Sequence, residues 1–249
     1  SRAVQASLAP HEISLYAGIP FCPTRCAYCS FVSADVGRAL KLIDPFLDAL
    51  CRELAATGAM LADAGLRVRT VYFGGGTPTT LSAPQLDRLM GELADHIDLS
   101  GCTEYTVEAG RPDTITAEKL AVLARRGCSR VSVNPQTMQD AVLERMGRAH
   151  RADDILRAYA LARESGIGCI NMDLIAGLPG DSAELIVRSD SINYHFFVRA
   201  DGVETCLGSG QSKFLSNEIS TGFTGVVLGL FAQRGGETRF DNLHVRYTF

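Results

Sequence analysis

Cys22, Cys26 and Cys29 stand in the spacing C-x3-C-x2-C, immediately after a short apolar run that ends at Ile19-Pro20-Phe21. Thiolates this close converge on one loop, where they hold a metal ion or a metal cluster. A structural zinc site asks for a fourth ligand; no further Cys is adjacent, and His11 is the histidine placed to approach. A four-iron cluster on three thiolates instead leaves one iron open to a substrate or cofactor. Cys51, Cys102, Cys128, Cys169 and Cys206 are scattered among apolar neighbours and are expected as small core residues. Clustering of three cysteines favours a metal in a reducing compartment over disulfides, so a cytoplasmic location is expected.

Other residues with chemical potential fall at recurring places. Gly74-Gly75-Gly76-Thr77 follows one apolar run, and consecutive glycines let backbone approach a ligand closely. Glu108, Gln136 and Asp173 each close such a run. Arg148 lies in the basic stretch Arg145-Met146-Gly147-Arg148-Ala149-His150-Arg151, and a guanidinium matches a planar carboxylate bidentately.

The elements that position these groups repeat. Strands are predicted over 14–19, 69–73, 103–108, 130–133 and 169–175, each followed by a stretch with helical spacing. Asp44-Pro45 opens the first long helix, Ser82 caps the second and Thr116 starts the third. Arg125-Arg126-Gly127 and Arg163-Glu164-Ser165-Gly166 place positive charge and a glycine at helix ends. Repeated βα units predict a parallel sheet or part of a barrel, whose sites form at the strand C-terminal ends. Cysteines, glycines and carboxylates are all expected there.

After about Glu184 the pattern changes. Ile192, Tyr194, Phe196 and Val198 alternate with mostly polar residues, as do Leu243, Val245, Tyr247 and Phe249, with Asp201-Gly202 and Gly235-Gly236 as hairpin turns. The expected fold class is α/β: a partial barrel over residues 1–184, then an antiparallel β-rich segment over 185–249.

Composition excludes several functions. The 249 residues carry 24 Lys+Arg against 28 Asp+Glu, a net charge of -4 that argues against a nucleic-acid partner. No apolar run reaches the roughly 18 residues of a membrane span, and the first residues lack the order of a secretory signal.

The segments Tyr16 to Cys29, Tyr72-Phe73-Gly74-Gly75-Gly76-Thr77-Pro78, Glu104 to Glu108, Arg130 to Gln136 and Asp173 to Gly180 together resemble the radical S-adenosylmethionine (SAM) superfamily. They are most similar to its oxygen-independent coproporphyrinogen III oxidase, or coproporphyrinogen dehydrogenase, branch. Ser30-Phe31 stands where some members carry a further Cys; this resembles the Z-type enzymes and the haem-chaperone relatives. The resemblance implies a (β/α)6 barrel, here partial, with a [4Fe-4S] cluster on Cys22, Cys26 and Cys29. It implies SAM held by Gly74, Gly75, Gly76 and Thr77 at its methionine amino group, by Arg148 at its carboxylate, and by Glu108, Gln136 and Asp173. Tyr28 is implied beside adenine and Tyr16 near the cluster.

The implied reaction is oxidative decarboxylation of coproporphyrinogen III propionates to vinyl groups, begun by a 5′-deoxyadenosyl radical. Its partners are a porphyrinogen and an electron donor such as flavodoxin or ferredoxin. A haem-binding chaperone on the same scaffold is the alternative. Residues 185–249 resemble the C-terminal β-sandwich of family 43 glycoside hydrolases, with Asp201-Gly202-Val203-Glu204 and Phe240-Asp241 among the matching segments. A carbohydrate-binding tail on an inactive, truncated or fused chain is thus a further alternative.

Overall fold

The computed structural model describes residues 9–30, 34–175, 178–181, 184–189, 193–200 and 203–211. Its first strands are β1 (Glu12–Ile19), β2 (Phe21–Cys22) and β3 (Ala34–Asp35). The helices α1 (Val36–Ala39) and α2 (Ile43–Asp63) follow, then β4 (Arg67–Gly75), α3 (Ala83–His96), β5 (Glu104–Gly110) and α4 (Ala117–Arg125). The first unit closes with β6 (Arg130–Gln136), α5 (Asp140–Arg145), α6 (Ala152–Glu164) and β7 (Cys169–Leu174).

The main sheet has the order β1-β4-β5-β6-β7 and is parallel throughout. It is the α/β sheet of a partial barrel, as the sequence predicts. Apart from irregularities at Ile13/Ser14, Glu108/Gly110 and Val133/Gln136, successive residues point to alternate faces. Ala17, Ile19, Val71, Phe73, Tyr105, Val107, Val131 and Val133 are buried on one face, in one core with Leu47, Leu50 and Leu54 of α2 and Leu86, Leu89 and Leu93 of α3. The opposite face is polar, carrying Ser14, Tyr16, Thr70, Tyr72, Glu104, Thr106, Glu108, Arg130, Ser132, Asn134, Asn171 and Asp173.

The helix ends follow the residues that encode them. Ser82 accepts from the amide of Gln85 while Gln85 returns a bond to the Ser82 amide, a reciprocal cap with Pro84 in the first turn. Thr116 accepts from the amide of Lys119. Gly127 and Gly166, with φ of 84° and 80°, take the left-handed conformation that ends α4 and α6.

The chain divides into two compact units, Ser1–Leu174 and Ile175–Phe249. In the second, β8 (Glu184–Ser189), β9 (Asn193–Ala200) and β10 (Val203–Gln211) form an antiparallel sheet in the order β10-β9-β8. Val203 pairs with Ala200. The expected turns Asp201-Gly202 and Gly235-Gly236, Ile192, and the alternating run from Leu243 to Phe249 lie outside the described residues.

Candidate functional site

The cysteine loop is an extension of the sheet. Pro20 has no N–H to offer the ladder, so β1 ends before it. Pairing nonetheless continues: the amide of Gly76 donates to the Ile19 carbonyl and that of Thr77 to the Phe21 carbonyl, each at 2.8 Å. Gly76 is required by this closeness, because a Cβ there would lie 2.5 Å from the Phe21 carbonyl oxygen and 3.0 Å from Cys22 Sγ. On the other side, the Thr24 hydroxyl donates to the Gly147 carbonyl at 2.9 Å. The Ala27 amide donates to Met146 at 3.0 Å, and a turn is closed by the Cys29 amide on the Cys26 carbonyl at 3.0 Å.

None of the three cysteines is in a disulfide, and all are partly exposed. Cys22 Sγ lies 3.4 Å from Thr77 Oγ1, which joins the cysteine loop to the glycine loop through side chains as well as backbone. Cys26 Sγ receives two guanidiniums, with Arg148 Nη1 at 3.7 Å and Arg111 Nη1 at 3.8 Å. Among the described residues no group of three or more His, Cys, Asp or Glu side chains gathers on the position of a single metal ion. His11 precedes β1 and the cysteines follow it, so the strand holds His11 away from the thiols. This removes it as a fourth ligand.

Arg148 is 6% exposed, whereas Arg145 and Arg151 are exposed. Burial therefore separates Arg148 from the rest of its basic stretch. Its Nη1 donates to the Tyr28 hydroxyl at 2.6 Å and its Nη2 to the Asn134 carbonyl at 2.6 Å, leaving Nε buried without a hydrogen bond. Burial pushes the Tyr28 phenol up, against the opposing pull of the Arg148 charge.

Glu108 accepts from Asn134 Nδ2 at 3.1 Å. Burial, and then the charge of Asp173, push its carboxyl above the usual carboxylate range, while hydrogen bonds from Tyr72 and Asn134 oppose the shift. Tyr72 is itself pushed up to about 12, by burial and then by Glu108 and Asp173. Gly74 sits inside this group: a Cβ there would lie 3.1 Å from both Glu108 Oε2 and Tyr16 Cε2. Tyr16 stacks on Tyr72 at 5.9 Å and is 59% exposed on the polar face of the sheet. Asp173 is exposed and accepts from Asn171 at 2.9 Å. Gln136 closes β6 with φ of +69°, a left-handed backbone that a non-glycine residue adopts at a cost and that recurs at functional sites.

The sequence-predicted residues thus form three groups: Cys22 with Thr77; Cys26 with Tyr28 and Arg148; and Tyr16, Gly74 and Glu108, to which the structure adds Tyr72. Asn134 bridges the last two, its carbonyl on Arg148 and its side chain on Glu108. Phe31, Ala176 and Gly177 lie outside the described residues. Two expectations for the scattered cysteines are corrected: Cys51 and Cys128 are buried and Cys102 is partly so, but Cys169 and Cys206 are exposed. Cys169 shares the polar face of the sheet with Asn171 and Asp173, so its apolar neighbour Ile170 points away from it.

Residues beyond those predicted complete the site. Arg111, 3% exposed, donates to Thr24 Oγ1 at 2.7 Å and to the Thr24 carbonyl at 3.3 Å, besides its approach to Cys26. Its other side is bidentate on Asp113, at 3.1 and 3.3 Å. His150 Nδ1 also meets Asp113, at 3.3 Å, and its Nε2 is buried without a partner. Although burial pushes the Asp113 carboxyl up, bonds with His150 and Arg111 hold it well below the usual carboxylate range. An arginine just past a strand-end glycine was the available signal.

A parallel α/β sheet that joins a three-cysteine loop to a glycine loop at its C-terminal end is here the fold and site of a radical SAM protein. The family model of the Radical SAM superfamily matches residues 16–189, and the chain belongs to that superfamily. Within it, the chain is 44% identical over 174 residues to the oxygen-independent coproporphyrinogen-III oxidase-like protein HemZ of Bacillus subtilis, covering 70% of this chain and 35% of that protein. It is 38% identical over 177 residues to the heme chaperone HemW of the same organism, covering 71% and 45%. The solved structure of coproporphyrinogen III oxidase (HemN) from Escherichia coli, described as a radical SAM enzyme, aligns with a TM-score of 0.61 at 31% identity, over 71% of this chain and 40% of that one.

The chain therefore spans less than half the length of these relatives. Residues 179–246 match a second family model, the beta xylosidase C-terminal concanavalin A-like domain. No helix among the described residues is long and apolar enough to cross a membrane.

Superfamily membership implies a [4Fe-4S] cluster and SAM. The residues present fit both. Three cysteines outside any disulfide supply the ligands, and Arg148 Nε and Asn134 Oδ1 are buried polar atoms without partners beside the loop.

Proposed function

We propose that this chain carries the cluster- and SAM-binding part of an oxygen-independent coproporphyrinogen III oxidase-like enzyme of the cytoplasm. Its reaction would be the oxidative decarboxylation of porphyrinogen propionates to vinyl groups. The observation that carries the reading is the joining of the Cys22 loop to the Gly74-Gly75-Gly76 loop through the Gly76 and Thr77 amides and the Cys22–Thr77 contact. The 44% identity to the HemZ protein supports the branch.

In this reading Cys22, Cys26 and Cys29 hold the cluster, and Gly74, Gly75, Gly76 and Thr77 present backbone to the amino acid end of SAM. Cluster and SAM together supply one-electron chemistry able to remove a hydrogen atom from an unactivated carbon. The protein's own part is to bind and orient. Arg148 holds the carboxylate of SAM, Glu108 takes a hydroxyl or ammonium group, Gln136 and Asp173 contact SAM from the ends of β6 and β7, Tyr28 packs beside adenine and Tyr16 lies near the cluster. The electron comes from a donor of the flavodoxin or ferredoxin kind, and residues 185–249 form a separate β-rich domain.

Anaerobic reconstitution tests this directly. The protein is expected to take up about four irons per chain, to lose them in Cys26→Ala, and to show a SAM-dependent change in the spectrum of the reduced cluster. A wild-type protein that binds no iron ends the reading.

A second reading, a haem chaperone on the same scaffold, is favoured by the 38% identity to HemW. Stoichiometric haem binding without conversion of coproporphyrinogen III would select it, whereas release of CO2 and vinyl product would select the enzyme.

A further inference from the structure

We infer that Arg111 is a positioning residue for the cluster: it latches the cysteine loop to the end of β5 and, by an N–H directed at Cys26 Sγ, raises the reduction potential of whatever cluster the loop holds. The inference rests on the proposed cluster reading and goes beyond it, since Arg111 belongs to none of the segments through which the chain resembles the superfamily.

Three observations carry it. First, the Arg111 side chain is 3% exposed, and a buried cation needs partners that fix it. Second, those partners divide by side. Nη1 faces the cysteine loop, at 2.7 Å from Thr24 Oγ1 and 3.8 Å from Cys26 Sγ, while Nε and Nη2 lie on Asp113 at 3.1 and 3.3 Å. A fork held bidentately at one end aims its remaining nitrogen in a fixed direction. Third, His150 backs Asp113 at 3.3 Å from a fully buried position, so the carboxylate that orients Arg111 is itself held. The whole relay ends on one sulfur of the three.

Its consequence is electrostatic. One-electron reduction adds a negative charge to a cluster and its thiolates, and hydrogen bonds to the sulfurs set its potential. A cation and an N–H donor at Cys26 favour the more negative, reduced form. Arg148 reaches the same sulfur but is shared with Tyr28 and Asn134, and it is assigned to SAM. Arg111 has no such second duty.

The test compares the unmutated chain with Arg111→Gln, Arg111→Lys and Thr24→Val, each reconstituted anaerobically without SAM. Iron is counted, and the cluster midpoint is measured by dithionite titration followed by electron paramagnetic resonance. For Arg111→Gln with iron content unchanged, a midpoint more negative by on the order of 59 mV is expected, a tenfold change in the one-electron equilibrium. Arg111→Lys should recover part of the shift, and Thr24→Val, which removes one anchor of the fork, should move the midpoint the same way by less. If Arg111→Gln folds but takes up no iron, Thr24→Val alone must show the negative shift. Wild-type midpoints in iron-loaded variants would overturn the inference and leave the cluster reading standing. Absence of iron from the wild type would end both.

Discussion

The guanidinium of Arg148 and the hydroxyl of Tyr28 meet at 2.6 Å, joining the segment between α5 and α6 to the cysteine loop. Both residues are proposed to contact SAM, one at its carboxylate and one at its adenine, so neither is set independently of the other. Arg148→Lys keeps the charge but cannot serve Tyr28, Asn134 and an anion at once. We expect roughly a tenfold or greater loss of SAM affinity, the range for a hydrogen bond to a charged group. Equilibrium binding to the reconstituted protein measures it.

Glu108 should make the cofactor-free protein less stable as pH rises. Its carboxyl is raised above the ordinary 4.5 by burial first, so the folded state binds the proton more tightly than the unfolded one. Below that value both states are protonated and nothing is lost; as pH climbs through the folded value, the folded state bears the charged form at greater cost. Glu108→Gln is therefore expected to raise the melting temperature near pH 7 and to leave it unchanged near about pH 4. Equal effects at both values would refute the assignment. The same substitution should weaken SAM binding.

Gly76→Ala places a methyl group 2.5 Å from the Phe21 carbonyl oxygen and 3.0 Å from Cys22 Sγ, where backbone has no room to yield. Roughly 1–3 kcal/mol of destabilisation is expected, together with reduced iron uptake. Gly101→Ala is the control: the nearest atom to its Cβ is 3.7 Å away. It should melt and load iron as the wild type does.

Ser82→Ala removes the reciprocal cap of α3, far from any thiol in sequence. A cost of about 0.5–2 kcal/mol is expected in chemical denaturation. Iron per chain should not change.

Sequence periodicity located β1, β4, β5, β6 and β7 because each is an apolar, β-branched run bounded by polar or glycine-rich segments. Helix ends were equally legible at Ser82, Thr116, Gly127 and Gly166, where a single residue type performs the local task. Cys169 is exposed where apolar neighbours predict burial, and strand geometry is the reason. Apolar neighbours along a helix support burial, but along a strand the adjacent residue points to the opposite face, so Ile170 speaks against the burial of Cys169.

Within the site, the cysteines, glycines and strand-end carboxylates announced themselves by spacing and position. Arg111, Asp113 and His150 did not. A charged residue after a strand usually belongs to solvent, and the pairing of Arg111 with Thr24 spans 87 residues of chain. Only the closing of the sheet brings that pair together.

Because the Ile19 and Phe21 carbonyls accept from the Gly76 and Thr77 amides, the octapeptide bearing the thiols takes its placement from its neighbours, and only the turn from Cys26 to Cys29 is closed within it. Grafted alone onto another scaffold it would keep that turn and lose every outside hold. A transplantable module must therefore carry β1 and β4 with both of their loops, and with them Arg111 at the end of β5 and the segment from Met146 to Arg148 that grips the loop from its other side.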